Sequence, residues 1–362
     1  MAPFGSGSAA SFEAADLAGS MPQLSAHPWL LGLGFTALVL GSGCMVRLGS
    51  QPATPSPPPL TPAVAATASP SPTEPAPVLP VEPALPVAAG LSYPRVPADP
   101  AAIAALLAWL EPALRSAATP ADQLAALGHQ QQVIYRVLAH RPELAKQVRA
   151  QLLPRWQGVF DHHLGARREF LAMHPRRQRP SQLPAWRIIE PEPAARLLGY
   201  YREAAAATGI PWQVLAAVNL VETGMGRIDG ISVADARGPM QFLPTTWAEP
   251  GIGNGGDIRD PRSAIQAAAR YLVRRGGLKD ISKGLWGYNN SDHYGRAVLH
   301  YAALLRDDPA AYTGLYHWQI HFASSAGDLW LPVGYDEPRP LAVAAWLDLN
   351  PSARPPAGSS GY

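Results

Sequence analysis

Residues 210–227 read IPWQVLAAVNLVETGMGR. Pro211 suits a first helical turn, Val214, Leu215, Val218 and Val221 fall on one buried helical surface, and Gly224 supplies a stop. The segment is close to apolar all round, the pattern of a helix enclosed on every side. Between Ile210 and Gly226 the one ionisable side chain is Glu222, in the last turn. There the helix dipole presents its negative end, and an apolar setting withholds water from the ionised form. Both effects favour a carboxyl that keeps its proton, as a general acid for a glycosidic oxygen requires. The same residues also describe a glutamate merely exposed at a helix end, and the segment alone leaves both readings open.

Three further blocks follow in order: ARGPMQFLPTTWA at 236–248, GDIRDPRSAIQAAARYL at 256–272 and GLWGYNNSDHYGRAVLHYA at 284–302. The combination resembles the soluble lytic transglycosylase and goose-type lysozyme superfamily, with its E-S-G, G-L-M-Q, D-P-x-x-A-I and A-Y-N elements. The resemblance covers residues 210–302, about a quarter of the chain. It implies a mainly α, lysozyme-like catalytic domain in which Glu222 is the acid/base. Thr223 takes the serine position, Met240 and Gln241 the glycan-contacting end of G-L-M-Q, and Tyr288 and Asn289 the pair that closes over the cleft and orients the glutamate. Three departures stand out: Thr223 for Ser, Pro239 for Leu and Gly287 for Ala. Pro239 removes a backbone donor and fixes its own torsion, predicting a stiffer loop before Gln241.

Glycosidases commonly pair two carboxylates. Asp229, Asp235, Asp257 and Asp292 are candidates for a second, and spacing singles out none. The resemblance implies a one-carboxylate mechanism on peptidoglycan glycan strands: Glu222 protonates the MurNAc–GlcNAc oxygen, the substrate's acetamido group supports the cationic centre, and the muramyl C6 hydroxyl closes a 1,6-anhydro ring. Water in place of that hydroxyl would make a hydrolytic lysozyme. The remaining alternative is a noncatalytic peptidoglycan-binding or scaffold protein, against which the retention of Glu222 beside Gln241 and the Tyr288–Asn289 pair argues. Trp247, Trp286, Tyr288 and Tyr294 suit either sugar stacking or a cleft wall. Asp260 is placed to cap a helix starting at Pro261.

Upstream, Asp99-Pro100 and Thr119-Pro120 each read as a cap with a first-turn proline. With further periodic stretches at 142–153 and 156–171 they predict a helical region over 99–185, ahead of a catalytic domain at 186–310. Residues 136–196 carry 12 Lys or Arg against five acids. That excess reads as a solvated face or as attraction to anionic wall polymers. Neighbouring His162 and His163 diverge on a helix and do not form a metal pair. After the catalytic domain, alternation from Tyr316 to Phe322 and the SSAG turn predict a β-hairpin within 311–345. Residues 346–362 read as a disordered tail.

The N-terminus carries an address. Residues 1–50 form a leader in which Pro28–Val46 run uncharged, about 28 Å as a helix, close to a bilayer's apolar thickness. This segment is read as a membrane anchor, with signal cleavage near Gly41–Gly43 as the alternative. Residues 51–98 form a proline-rich linker, with 16 prolines between Gln51 and Pro100, and suit a stiff polyproline II spacer. The expected location is exported, with the catalytic domain facing the cell wall. A net charge of +2 with only three lysines argues against a nucleic-acid partner. The single cysteine, Cys44, excludes an internal disulfide framework and a cysteine-based zinc site, and no metal or cofactor is expected.

Overall fold

The computed structural model describes residues 91–173 and 179–356. The apolar segment at 28–46 and the spacer up to residue 90 lie outside the described residues. Among the described residues no helix is long and apolar enough to cross a membrane.

The chain is mainly helical. Asp99 accepts the Ala102 N–H at 2.8 Å and starts α1 (Pro100–Ala113). α2 (Ala121–Ala139) follows Pro120 directly, so Thr119 is one position too early to cap it. Its hydroxyl donates instead to the Ala113 carbonyl at 2.6 Å and fixes the α1–α2 turn. α3 (Pro142–Gln151) and α4 (Pro154–Met173) complete the N-terminal helices. Next come α5 (Ala194–Thr208), α6 (Trp212–Thr223), the short α7 (Pro244–Trp247), α8 (Pro261–Arg274), α9 (Ile281–Asn289), α10 (Asp292–Asp307) and α11 (Tyr312–Tyr316). Asp260 caps α8 as expected, accepting the Ser263 N–H at 2.7 Å.

One apolar core runs through α1 to α11. Leu107, Leu138, Phe160, Val218, Ile265 and Leu305 all belong to it. A smaller core lies under three two-stranded antiparallel sheets. β1 (Gln182–Leu183) pairs with β6 (Leu341–Ala342), β2 (Trp186–Ile188) with β3 (Ile228–Gly230), and β4 (Ile320–Ser324) with β5 (Gly327–Leu331). Trp186, Ile228, Ile320, Phe322 and Trp346 fill it.

Two expectations need correction. The β4–β5 hairpin forms, but its first strand starts at Ile320 rather than Tyr316, which ends α11. The carbonyls of Tyr316 and Trp318 accept from Arg227, and Gln132 takes both the N–H and the carbonyl of Gln319, so these groups are engaged by side chains instead of a ladder. The tail is ordered well past 346: α12 (Val343–Leu349) and a 3₁₀ turn at Pro351–Ala353 bury Trp346, Leu347 and Ala353 in the smaller core. Within the basic region, Arg136, Arg149, Arg187 and Arg196 are ion-paired with Asp328, Asp161, Asp229 and Glu192. His163 is buried and stacked on Tyr135, while His162 turns to His300. Among the described residues no group of three His, Cys, Asp or Glu side chains is placed to hold a metal ion.

A buried polar node ties the N-terminal helices together. Glu111, fully enclosed in α1, accepts from Tyr135 at 2.9 Å, Gln131 at 2.9 Å and Arg115 at 2.6 Å. Arg115 in turn bonds Asp308, beyond α10, at 2.5 Å. Removing one partner of such a node leaves the others buried and unsatisfied. Glu111→Ala is expected to lower stability by about 3–5 kcal/mol in urea unfolding followed by circular dichroism.

Candidate active site

Every residue of α6 from Val214 to Thr223 is buried, which is why its sequence is apolar on all sides. Gly224, Met225 and Gly226 all take positive φ, so the chain reverses sharply at the helix end. Gly224, at φ 62°, closes the last turn by donating to the Leu220 carbonyl at 3.0 Å. Glu222 is thereby held in the final turn, only 3% exposed.

Its two oxygens differ. Oε1 accepts the Tyr294 hydroxyl at 2.6 Å. Oε2 is buried and has no hydrogen-bond partner among the described residues. Burial pushes the carboxyl up to about 8, with the Tyr294 hydrogen bond acting in the opposite direction. Its burial excludes the exposed-glutamate reading, and the same burial favours the neutral carboxyl near pH 7.

Tyr294 sits in the first turn of α10, where the Ser291 hydroxyl caps the helix by accepting the Tyr294 N–H at 3.3 Å. Its ring lies parallel to Tyr288 at 6.4 Å, and Tyr288 contacts Phe242 and Tyr271 at 5.9 and 5.7 Å. The Tyr288 hydroxyl donates to the Met240 carbonyl at 2.8 Å rather than to Glu222. Orientation of the glutamate thus falls to Tyr294, which sequence reasoning treated only as an aromatic surface. The available signal was chemical: a buried tyrosine ring needs a partner for its hydroxyl.

The loop before Gln241 is bolted to the same helix. The Pro239 carbonyl accepts from Asn219 at 2.8 Å and from the Thr223 hydroxyl at 2.7 Å. Proline at this position leaves intact the carbonyl that the loop uses. Arg237 and Phe242 exchange both backbone hydrogen bonds and close the loop on itself. Gly238 is irreplaceable there: at φ 72°, a Cβ would lie 1.9 Å from the Ile258 carbonyl oxygen. Gly287, where the resemblance expects Ala, has a similar reason. A Cβ at 287 would meet Arg275 Nε at 2.5 Å, and that arginine lies over Tyr271.

The residues expected at the site are therefore gathered, in different roles. Thr223 and Met240 are fully buried, the Thr223 hydroxyl donating to the Pro239 carbonyl and the Met240 carbonyl accepting from Tyr288. Gln241 is nearly buried, its amide donating to the Gly238 carbonyl at 3.0 Å. Tyr288 remains partly exposed, and Asn289 is buried at the end of α9. Of the four aspartates, Asp229 pairs with Arg187, Asp235 with Arg237, Asp257 bonds its own loop at Arg259, and Asp292 lies in the first turn of α10. None enters the balance that sets the Glu222 proton, which consists of burial and Tyr294.

Residues 199–300 match the family model of the transglycosylase SLT domain. The chain carries an SLT domain. Comparison with curated proteins and with solved structures returned no match. The SLT domain holds Glu222, Tyr294 and the Gln241 loop, whereas α1–α4 and the β4–β5 hairpin lie outside it.

Two consequences follow from the buried acid. Tyr294→Phe removes the bond that favours the carboxylate, so the Glu222 titration, followed by carbon-13 NMR, is expected to move above about 8. The second is a stability slope. Between the ordinary value of 4.5 and about 8, the folded carboxyl keeps a proton that the unfolded chain has lost, so stability falls as pH rises through that window. Glu222→Gln abolishes this term. Its stability advantage over wild type, measured by urea melts, is expected to grow by about 1.4 kcal/mol per pH unit from pH ~5 to ~8 and to level off outside that range.

Proposed function

We propose that the protein is a peptidoglycan lytic transglycosylase in which Glu222 is both general acid and general base. The SLT domain supports a function of this type at family level. The observation that supports the specific chemistry is the buried Glu222, its carboxyl pushed up to about 8, with one oxygen engaged by Tyr294 and the other without a hydrogen-bond partner among the described residues. With Oε1 accepting the tyrosine hydrogen, the acid proton belongs on Oε2, the oxygen left for substrate.

The steps balance without water. Glu222 Oε2–H delivers its proton to the oxygen joining C1 of N-acetylmuramic acid to C4 of N-acetylglucosamine, and the C1–O bond breaks. The carbonyl oxygen of the muramyl acetamido group supports C1, filling the place of a second carboxylate. Glu222, now a carboxylate, removes the C6 hydroxyl proton, O6 bonds to C1, and the acid is regenerated. The products are a 1,6-anhydromuramyl end and a free C4 hydroxyl. Gln241, Tyr288 and Asn289 are the proposed glycan contacts. The 28–46 segment and the proline spacer, on this reading, hold the exported head toward the wall.

Incubating the full chain with purified sacculi and weighing the released muropeptides tests the reading. Anhydro products are one water lighter than those of hydrolysis. Glu222→Gln is expected to lower cleavage by about 10²–10⁴-fold. Wild-type activity should fall as pH rises through about 8, where the acid loses its proton. Near-normal turnover by Glu222→Gln, or products carrying the extra water, would refute it.

A further inference from the structure

The turn that follows Glu222 is braced from outside the SLT domain. Arg227, 3% exposed, donates to the Trp318 carbonyl at 2.9 Å and the Tyr316 carbonyl at 2.8 Å, with its guanidinium over the Tyr316 ring at 5.5 Å. On its other side this 316–320 segment is fixed by α2. The Gln132 amide donates to the Gln319 carbonyl and accepts the Gln319 N–H, both at 2.8 Å. Trp318 also donates from its indole to Gln131 at 3.0 Å.

The segment then presents Ile320 to the catalytic turn. A Cβ built on Gly224 would fall 2.6 Å from Ile320 Cδ1, so the tip of that side chain rests against the glycine two residues after Glu222. Ile320 is 5% exposed and packs in the smaller core with Ile228 and Phe322. Close-packed contacts of this kind transmit displacement instead of absorbing it. Glu222 is thus clamped from three directions: by Tyr294 at the carboxyl, by the Pro239 carbonyl through Thr223, and by Ile320 at the cap.

We propose that Ile320 is a positioning residue for Glu222, and that the C-terminal hairpin belongs to the catalytic apparatus although it lies beyond the SLT domain. The proposal rests on reading Glu222 as the acid. A loosened cap lets the last turn of α6 shift, and a displacement near 1 Å at a reacting group can cost about 10²-fold in rate.

Ile320→Val deletes only the Cδ1 methyl and is a mild change for folding. On soluble peptidoglycan fragments its kcat is expected to fall severalfold with KM within about twofold, and Ile320→Ala to fall roughly tenfold or more. In both, the upper limb of the pH profile should move down from about 8 as water gains access to the carboxyl. Wild-type kcat and an unshifted limb in both Ile320 variants, even with a lowered Tm, would overturn the proposal. Glu222→Gln in the same assay separates the two levels. If it still cleaves, the acid assignment fails and the positioning role with it; if it is dead while the Ile320 variants match wild type, only the hairpin's role fails.

Discussion

A carboxyl group enclosed at the end of a helix buried on every side is the constraint around which the rest of the site is arranged. Water would restore the ordinary acidity of Glu222, and a nearby cation would lower it further. The Glu222 carboxyl receives one neutral hydroxyl, from Tyr294, and sits at the end of a helix whose residues from Val214 to Thr223 are all buried. Keeping an acid protonated in this way costs stability above its ordinary range, because the unfolded chain is free to ionise. The same term that makes the residue a competent proton donor therefore works against the fold, and the surrounding frame has to offset it.

That frame is built from backbone geometry and a few shared acceptors. Three consecutive positive φ values turn the chain immediately after Thr223, and Gly238 brings the next loop back against Ile258. One carbonyl, that of Pro239, receives both Asn219 and Thr223, so two turns of α6 are registered to the loop through a single atom. The aromatic run Phe242, Tyr271, Tyr288 and Tyr294 then connects this loop to the hydroxyl that holds Glu222. Departures from the family pattern fit this picture. Pro239 leaves the used carbonyl intact, and Gly287 makes room for Arg275.

What the sequence discloses is what is local. The all-round apolar α6, its glycine stop, the Asp99 and Asp260 caps and the SSAG turn each follow from residues within a few positions of one another. The acid itself was legible because its helix had no other ionisable group. Tyr294 was not, since its bond to Glu222 joins residues 72 apart on different helices. The start of β4 was misplaced for a similar reason. Alternation from Tyr316 fits a strand, but distant Arg227 and Gln132 claim the backbone groups a ladder would use. α12 hides in a proline-flanked stretch and is held by burial of Trp346 and Leu347 rather than by propensity.

The SLT domain, finally, does not end where its core ends. α10 supplies Tyr294, and its outer face lies so close to α4 that a Cβ at Gly165 would strike the His300 ring at 2.6 Å. Glu169 of α4 takes His293 at 2.6 Å and Arg296 at 2.9 Å, gripping the first turn of α10 beside Tyr294. At the other end, Arg115 reaches Asp308. The helix that orients the Glu222 carboxyl is therefore set by helices upstream of the domain, as the cap after that carboxyl is set by the hairpin downstream. Flanking regions outside the SLT domain thus fix the register of the helices that enclose Glu222, because a buried carboxyl keeps its raised proton affinity only while the walls around it stay closed to water.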